Sequence, residues 1–278
     1  WPLFGVVCLP NPTMARHKKR TRSQKPRAAR AALRRELGLW PAMALVVGTM
    51  IGAGILATPG KVAGGMGSPW LTLVAWAIGG AYAMAGALCC AELASAVPQA
   101  GGFYAFARRA IGRYAGFTAG WMDALTMVTA IAWLAAIAGS YTAQLAPAAA
   151  GWTRAAGIAA ILALAAWQWI SVRATGRLQT VLSAAKYVAI LAVVAVGLAA
   201  PRAAGAEAAP AATPASIALA LQSVVFAYAG WYGAIYVAEE VREPSRTLPR
   251  ALAGGVGAVT VLYLLVNVSF LSAMPIAA

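Results

Sequence analysis

Seven apolar runs, each near the roughly 20 residues that a helix needs to cross a hydrocarbon core, constrain this chain more than any other feature. They fall at about 39–63, 69–96, 115–145, 153–172, 179–200, 216–238 and 251–273. Charge is nearly absent inside them, and only 10% of the 278 residues are charged, against about 25% in a typical soluble domain. A soluble all-α core does not repeat runs of this length and purity. The pattern predicts an all-α integral membrane protein.

The charge that remains orients the runs. Net charge is +15, and much of it lies in ARHKKRTRSQKPRAARAALRREL, just before the first run. Residues 14–36 are expected to form a basic cytoplasmic tail resting on anionic lipid. No nucleic-acid partner is expected, because no reading module accompanies the tail. His17, the one histidine, sits among lysines and arginines and reads as a solvated tail residue. With the tail inside, the inner loops carry Arg108, Arg109 and Arg113, then Arg173 and Arg177, then Arg242, Arg246 and Arg250. The outer loops carry one basic residue each, Lys61, Arg154 and Arg202. Every loop obeys the positive-inside rule, which supports both the span count and the orientation. The expected location is a bacterial cytoplasmic membrane. FYAFARRAIGRY is expected to lie along the inner interface as a short amphipathic helix. Residues 1–13 begin with Trp1 and precede Met14, and are expected to be misassigned upstream translation.

Two of the runs are interrupted. GTMIGAGILATPG, residues 48–60, places four glycines and Pro59 inside the first run, and each glycine weakens a helix by about 1 kcal/mol relative to alanine. The sixth run, VVFAYAGWYGAIYVAEE, carries Gly230 and Gly233 at its middle. Gly48 with Gly52, and Gly116 with Gly120, also form GxxxG pairs of the kind that mark close helix packing. The first run alone therefore leaves packing and binding open. Interruption of a second run at the corresponding place of a five-helix repeat turns the reading toward binding. Transporters built from inverted repeats place discontinuous helices there. Free N–H groups at a half-helix start suit a carboxylate, and free carbonyls at a half-helix end suit an ammonium. The combination fits a zwitterionic α-amino acid.

Two charges stand apart. Lys186, in LSAAKYVAIL, lies within the fifth run, where a charge is costly and marks function unless it snorkels to the surface. Asp123, in GWMDALT, either lines a cavity and carries a proton or pairs with a polar neighbour. Glu92 reads as structural, and Glu239 and Glu240 as partners of nearby arginines. Cys8, Cys89 and Cys90 have no metal-ligand spacing, and neither metal nor cofactor is expected. No cluster of acids, histidines or thiols supports an enzyme.

These stretches together resemble the amino acid permeases of the amino acid–polyamine–organocation superfamily, and the L-type amino acid transporter family in particular. GTMIGAGILATPG resembles their first-helix motif. AELASAVPQAGGFYAFARRAIGRYAGFTAGW is similar to the end of the second helix, the inner loop and the entry to the third. FAYAGWYGAIYVAEEVREPSRTLPRA is similar to the sixth helix and the loop beyond. The resemblance covers about 37–278 and implies a LeuT-like inverted-repeat fold, with a first repeat over about 37–200 and a second begun over about 216–278. The family has about twelve helices, so a truncated permease is expected. The resemblance implies that Ile51, Gly52, Ala53 and Gly54 receive a substrate carboxylate and that Phe226, Ala229 and Gly230 receive its amino group. Phe226 would close over the substrate and Trp231 would line the site. Lys186 would touch the unwound first helix in place of a sodium ion, which implies sodium-independent exchange or proton coupling. Ala53 departs from the family, which usually has serine there and so gains a hydroxyl contact. No disulfide-linked heavy subunit is expected, because the loop between the third and fourth runs lacks the linking cysteine. The expected function is amino acid transport by alternating access. The alternatives are a transport-inactive truncated permease or membrane substrate sensor, and a carrier of polyamines or other organic cations.

Overall fold

A computed structural model of the chain describes residues 35–170, 172–200 and 212–273. Residues 1–13, most of the basic tail with His17 and Cys8, and Arg202 lie outside the described residues.

The first run folds as three helices rather than one. α1 (Leu39–Met50) starts with Pro41 in its first turn, where a missing N–H costs nothing. It buries Ala42, Val46 and Met50, one residue per turn on one face. The helix stops at Ile51, whose ψ of 90° is extended, and Gly52 is extended as well. α2 (Ala53–Ala57) is a single turn, and α3 (Pro59–Met66) begins on Pro59 and ends at Gly67 in the left-handed region. α4 (Pro69–Ala96) is unbroken and buries a stripe that includes Thr72, Trp76, Gly80, Ala83, Ala87 and Ala94.

The interfacial stretch forms α5 (Gly102–Ala110), with Ala105 and Phe106 buried and Arg108 and Arg109 in its last turn. α6 (Arg113–Leu145) is the longest helix and the least buried, covering only Gly116 and Gly139. α7 (Thr153–Ile170) and α8 (Val172–Ala199) follow. The sixth run is shorter than the expected 216–238 as a continuous helix. α9 (Pro214–Ala227) opens on a capping box formed by Thr213 and Ser216, then the backbone turns over Tyr228–Tyr232 before the short α10 (Gly233–Tyr236). α11 (Pro244–Ala273) starts ahead of the expected 251 because Pro244 supplies a natural first helical position.

Taken across its break, Leu39–Ala57 is long and apolar enough to cross a membrane, as are Pro69–Ala96, Arg113–Leu145 and Pro244–Ala273. Thr153–Trp167, Ala184–Ala199 and Pro214–Ala227 are shorter apolar helices. The seven together correspond to the seven runs.

The packed centre joins α1, α4, α9–α10 and α11 around Trp76, Tyr228 and Tyr263. These rings meet at centroid distances of 5.0 to 5.9 Å. The chain is also tied where it enters the first run and leaves the sixth. Leu37 N–H donates to Glu240 O (3.0 Å) and Arg242 N–H to Leu37 O (2.8 Å), so the two segments pair as a short parallel bridge. The tie aligns the two broken helices, and their interruptions lie side by side.

Candidate binding site at the paired helix breaks

In a bilayer, backbone groups released from a helix must find partners inside the protein. The carbonyls freed at the first break find them on other helices. Ile51 O accepts a hydrogen bond from Lys186 Nζ at 2.8 Å, delivered from α8. Met50 O accepts from Tyr263 Oη at 2.9 Å, and the same hydroxyl lies 3.2 Å from Ala227 O at the end of α9. Tyr263 thus stands between the C-terminal ends of the two half-helices, and it is fully buried. Thr49 Oγ1 lies 2.8 Å from Gly230 O, which joins the last turn of α1 to the turn in the sixth run. Phe226 O accepts from Ala229 N–H (3.1 Å), and Gly230 O also accepts from Gly233 N–H (3.0 Å).

The N–H groups at the start of α2 are treated differently. Gly52 is its N-cap and provides no side-chain cap, so the first-turn donors have no partner of that kind. A Cβ built on Gly52 would meet nothing within 4 Å. Open space therefore adjoins uncapped backbone donors. Gly54 and Gly230 serve contact instead. A Cβ on Gly54 would lie 2.9 Å from Ala227 Cα, and one on Gly230 would lie 2.5 Å from Thr49 O. Gly230 also has φ +108°, a conformation that favours glycine.

These distances separate the two GxxxG pairs. Gly48 would place a Cβ 3.5 Å from Tyr187 Oη, an ordinary contact, and Gly52 faces open space. Neither marks a tight helix crossing. Gly116 and Gly120 do, since their Cβ atoms would stand 2.6 Å from Arg108 Cβ and 3.1 Å from the Tyr104 ring. They are packing glycines for α5.

Phe226 is half-exposed and meets Trp133 edge to face at 4.8 Å. Both line a cavity of about 650 Å³ between α6, α3 and α9, within the usual range of about 300–1,000 Å³ for small-molecule sites. Four hydroxyls line it too: Thr58, Thr126, Thr129 and Ser223. Each donates to the carbonyl four residues back in the chain, at 2.8 or 2.9 Å. Their protons are committed, so they offer only lone pairs to a ligand. Lys61 is the charged residue of the lining, and no carboxylate belongs to it.

Not every sequence-derived residue gathers here. Trp231 packs against α4, where a Cβ on Gly86 would lie 2.8 Å from its ring. Asp123 accepts from Tyr236 Oη at 2.8 Å. Glu239 accepts from Ala100 N–H at 3.3 Å. Ala53 supplies the first residue of α2. Sequence reasoning missed Thr49, Tyr263 and the α6 hydroxyls. A threonine or tyrosine in an apolar helix is unremarkable until the fold shows what it faces, another run for Thr49 and Tyr263 and a cavity for the α6 hydroxyls.

A sequence model of the amino acid permease family matches residues 37–278. The chain is 32% identical over 245 residues to the serine/threonine exchanger SteT of Bacillus subtilis, covering 86% of this chain and 55% of that protein. It is 33% identical over 263 residues to Asc-type amino acid transporter 1 of Mus musculus, covering 88% and 49%. To large neutral amino acids transporter small subunit 2 of Homo sapiens it is 31% identical over 288 residues, covering 94% and 54%. The chain thus spans about half the length of these relatives.

Proposed function

The chain belongs to the amino acid permease family, and on that premise we propose that it serves to move neutral amino acids across a bacterial cytoplasmic membrane by alternating access, without sodium. The carboxylate of the substrate binds the uncapped N–H groups at Gly52, Ala53 and Gly54. Its ammonium binds the backbone of the turn that follows Phe226 at Ala229 O, with Phe226 and Gly230 forming the rest of that turn. Phe226 covers the ligand from the cavity side. The observation that carries this reading is the Lys186–Ile51 hydrogen bond of 2.8 Å beside the open face of Gly52. An ammonium fixed at the break holds the unwound backbone and adds positive charge near the carboxylate, two tasks that a bound cation would otherwise perform.

The cavity supports a neutral substrate over a polyamine. Its lining has one ammonium and no carboxylate, so a polycation would meet repulsion without a counterion. A disulfide-linked partner forms no part of the proposal, since residues 146–152 contain no cysteine.

The test is competition uptake in cells expressing the complete gene. Saturable uptake of neutral amino acids is expected, unchanged when choline replaces sodium, and Lys186→Ala is expected to abolish most of it. A sodium requirement, or normal kinetics in Lys186→Ala, refutes the proposal.

A further inference from the structure

Apart from transport, we infer that the elbow between α5 and α6 is a binding site for an anionic phospholipid. Three arginines, Arg108, Arg109 and Arg113, fall within six residues, and no Asp or Glu occurs between Glu92 and Asp123. Asp123 itself is engaged by Tyr236. Among the described residues no ion pair engages the cluster. α5 turns Gly102, Ala105 and Phe106 into the protein, which leaves Arg108 and Arg109 on its exposed side. Arg108 is positioned by Tyr104, with Nη1 2.7 Å from the tyrosine Oη. Arg113 lies over the Tyr114 ring at 5.4 Å. Arg109 has no partner among the described residues.

The same elbow exposes large apolar groups in order of depth. Ile111 and Tyr114 are 81% and 80% exposed, Phe117 68% and Trp121 56%. The rings of Phe117 and Trp121 stack at 6.5 Å with 9° between their planes. Exposed Val128 continues this face toward the middle of the span. At 1.5 Å per residue, Trp121 lies about 12 Å along α6 from Arg113. That separation matches a phosphate at the arginines with acyl chains running over the stacked rings. A water-soluble anion would use the arginines and leave the rings idle. Charge and apolar surface in this order fit one molecule that is anionic at one end and hydrocarbon at the other.

The test is native mass spectrometry of the detergent-purified chain with phosphatidylglycerol or phosphatidylcholine of matched acyl chains. Preferential binding of phosphatidylglycerol is expected. An arginine near an anionic surface contributes about fivefold, so Arg109→Gln with Arg113→Gln should cut the preference on the order of 25-fold. Arg109→Lys with Arg113→Lys should keep most of it. Phe117→Ala with Trp121→Ala should weaken both lipids alike, and soluble glycerol phosphate should not compete. The inference is overturned if the double glutamine variant retains the preference, or if glycerol phosphate displaces the lipid. It is equally overturned if Arg154→Gln, a single charge change in the α6–α7 region, lowers the preference as much.

Discussion

Gly52→Ala separates a glycine kept for packing from one kept for ligand access. Its backbone is extended, with φ −123°, and a Cβ there meets nothing within 4 Å. Alanine needs no strain at that position. Removing glycine from the unfolded ensemble should then leave stability unchanged or raise it by about 0.4–1 kcal/mol. The proposed carboxylate site predicts the opposite for function. The new methyl would occupy the space through which the ligand reaches the N–H groups, and crowding of a filled site costs about 1–3 kcal/mol. At about 1.4 kcal/mol per tenfold, affinity should fall between about 5-fold and about 150-fold. Stability is read from denaturant unfolding of the purified chain in detergent, and affinity from concentration-dependent uptake by the complete gene. A variant that is destabilised by more than about 1 kcal/mol would show that Gly52 packs against something. A stable variant with unchanged affinity would place the ligand elsewhere.

The other breaks give contrasting expectations. Gly230→Ala forces a Cβ to 2.5 Å from Thr49 O at a positive φ; backbone strain and overpacking together should cost about 2–6 kcal/mol, seen as a lowered unfolding midpoint. Tyr263→Phe strips the donor from Met50 O and Ala227 O. It should cost about 1–3 kcal/mol by the same measurement, together with a loss of uptake. Gly48→Ala should stay within about 0.5 kcal/mol of the parent, because Tyr187 Oη is at contact distance. Gly116→Ala drives a methyl against Arg108 of α5 and should cost about 1–3 kcal/mol. Equal costs at Gly48 and Gly116 would refute the division between the two GxxxG pairs.

The order and rough limits of the apolar helices were legible in the chain, since hydrophobic length is a local property that the bilayer enforces segment by segment. Legible too were the two weak points, because glycine and proline act on the backbone wherever they sit. The family resemblance followed from three contiguous motifs. What the residues could not state was which groups answer the opened backbone. Nothing local distinguishes Tyr263 from any other aromatic in α11, or shows that Thr49, which also reaches carbonyls of its own turn, meets Gly230. The Tyr236 hydroxyl beside Asp123 comes from another run and leaves no local trace. Trp231 sits two residues beyond Ala229 yet packs against Gly86.

Sequence by itself therefore determined that this chain crosses a membrane as a set of apolar helices and that two of them break. Tertiary structure alone decided which groups meet each break. Three glycines of the two broken runs have neighbours that only packing reveals: Tyr187 for Gly48, Ala227 for Gly54 and Thr49 for Gly230. Gly52 has none within 4 Å. The physical reason is that backbone weakness is encoded along the chain, whereas the partner of a freed N–H or carbonyl is set by what other helices bring within hydrogen-bonding distance.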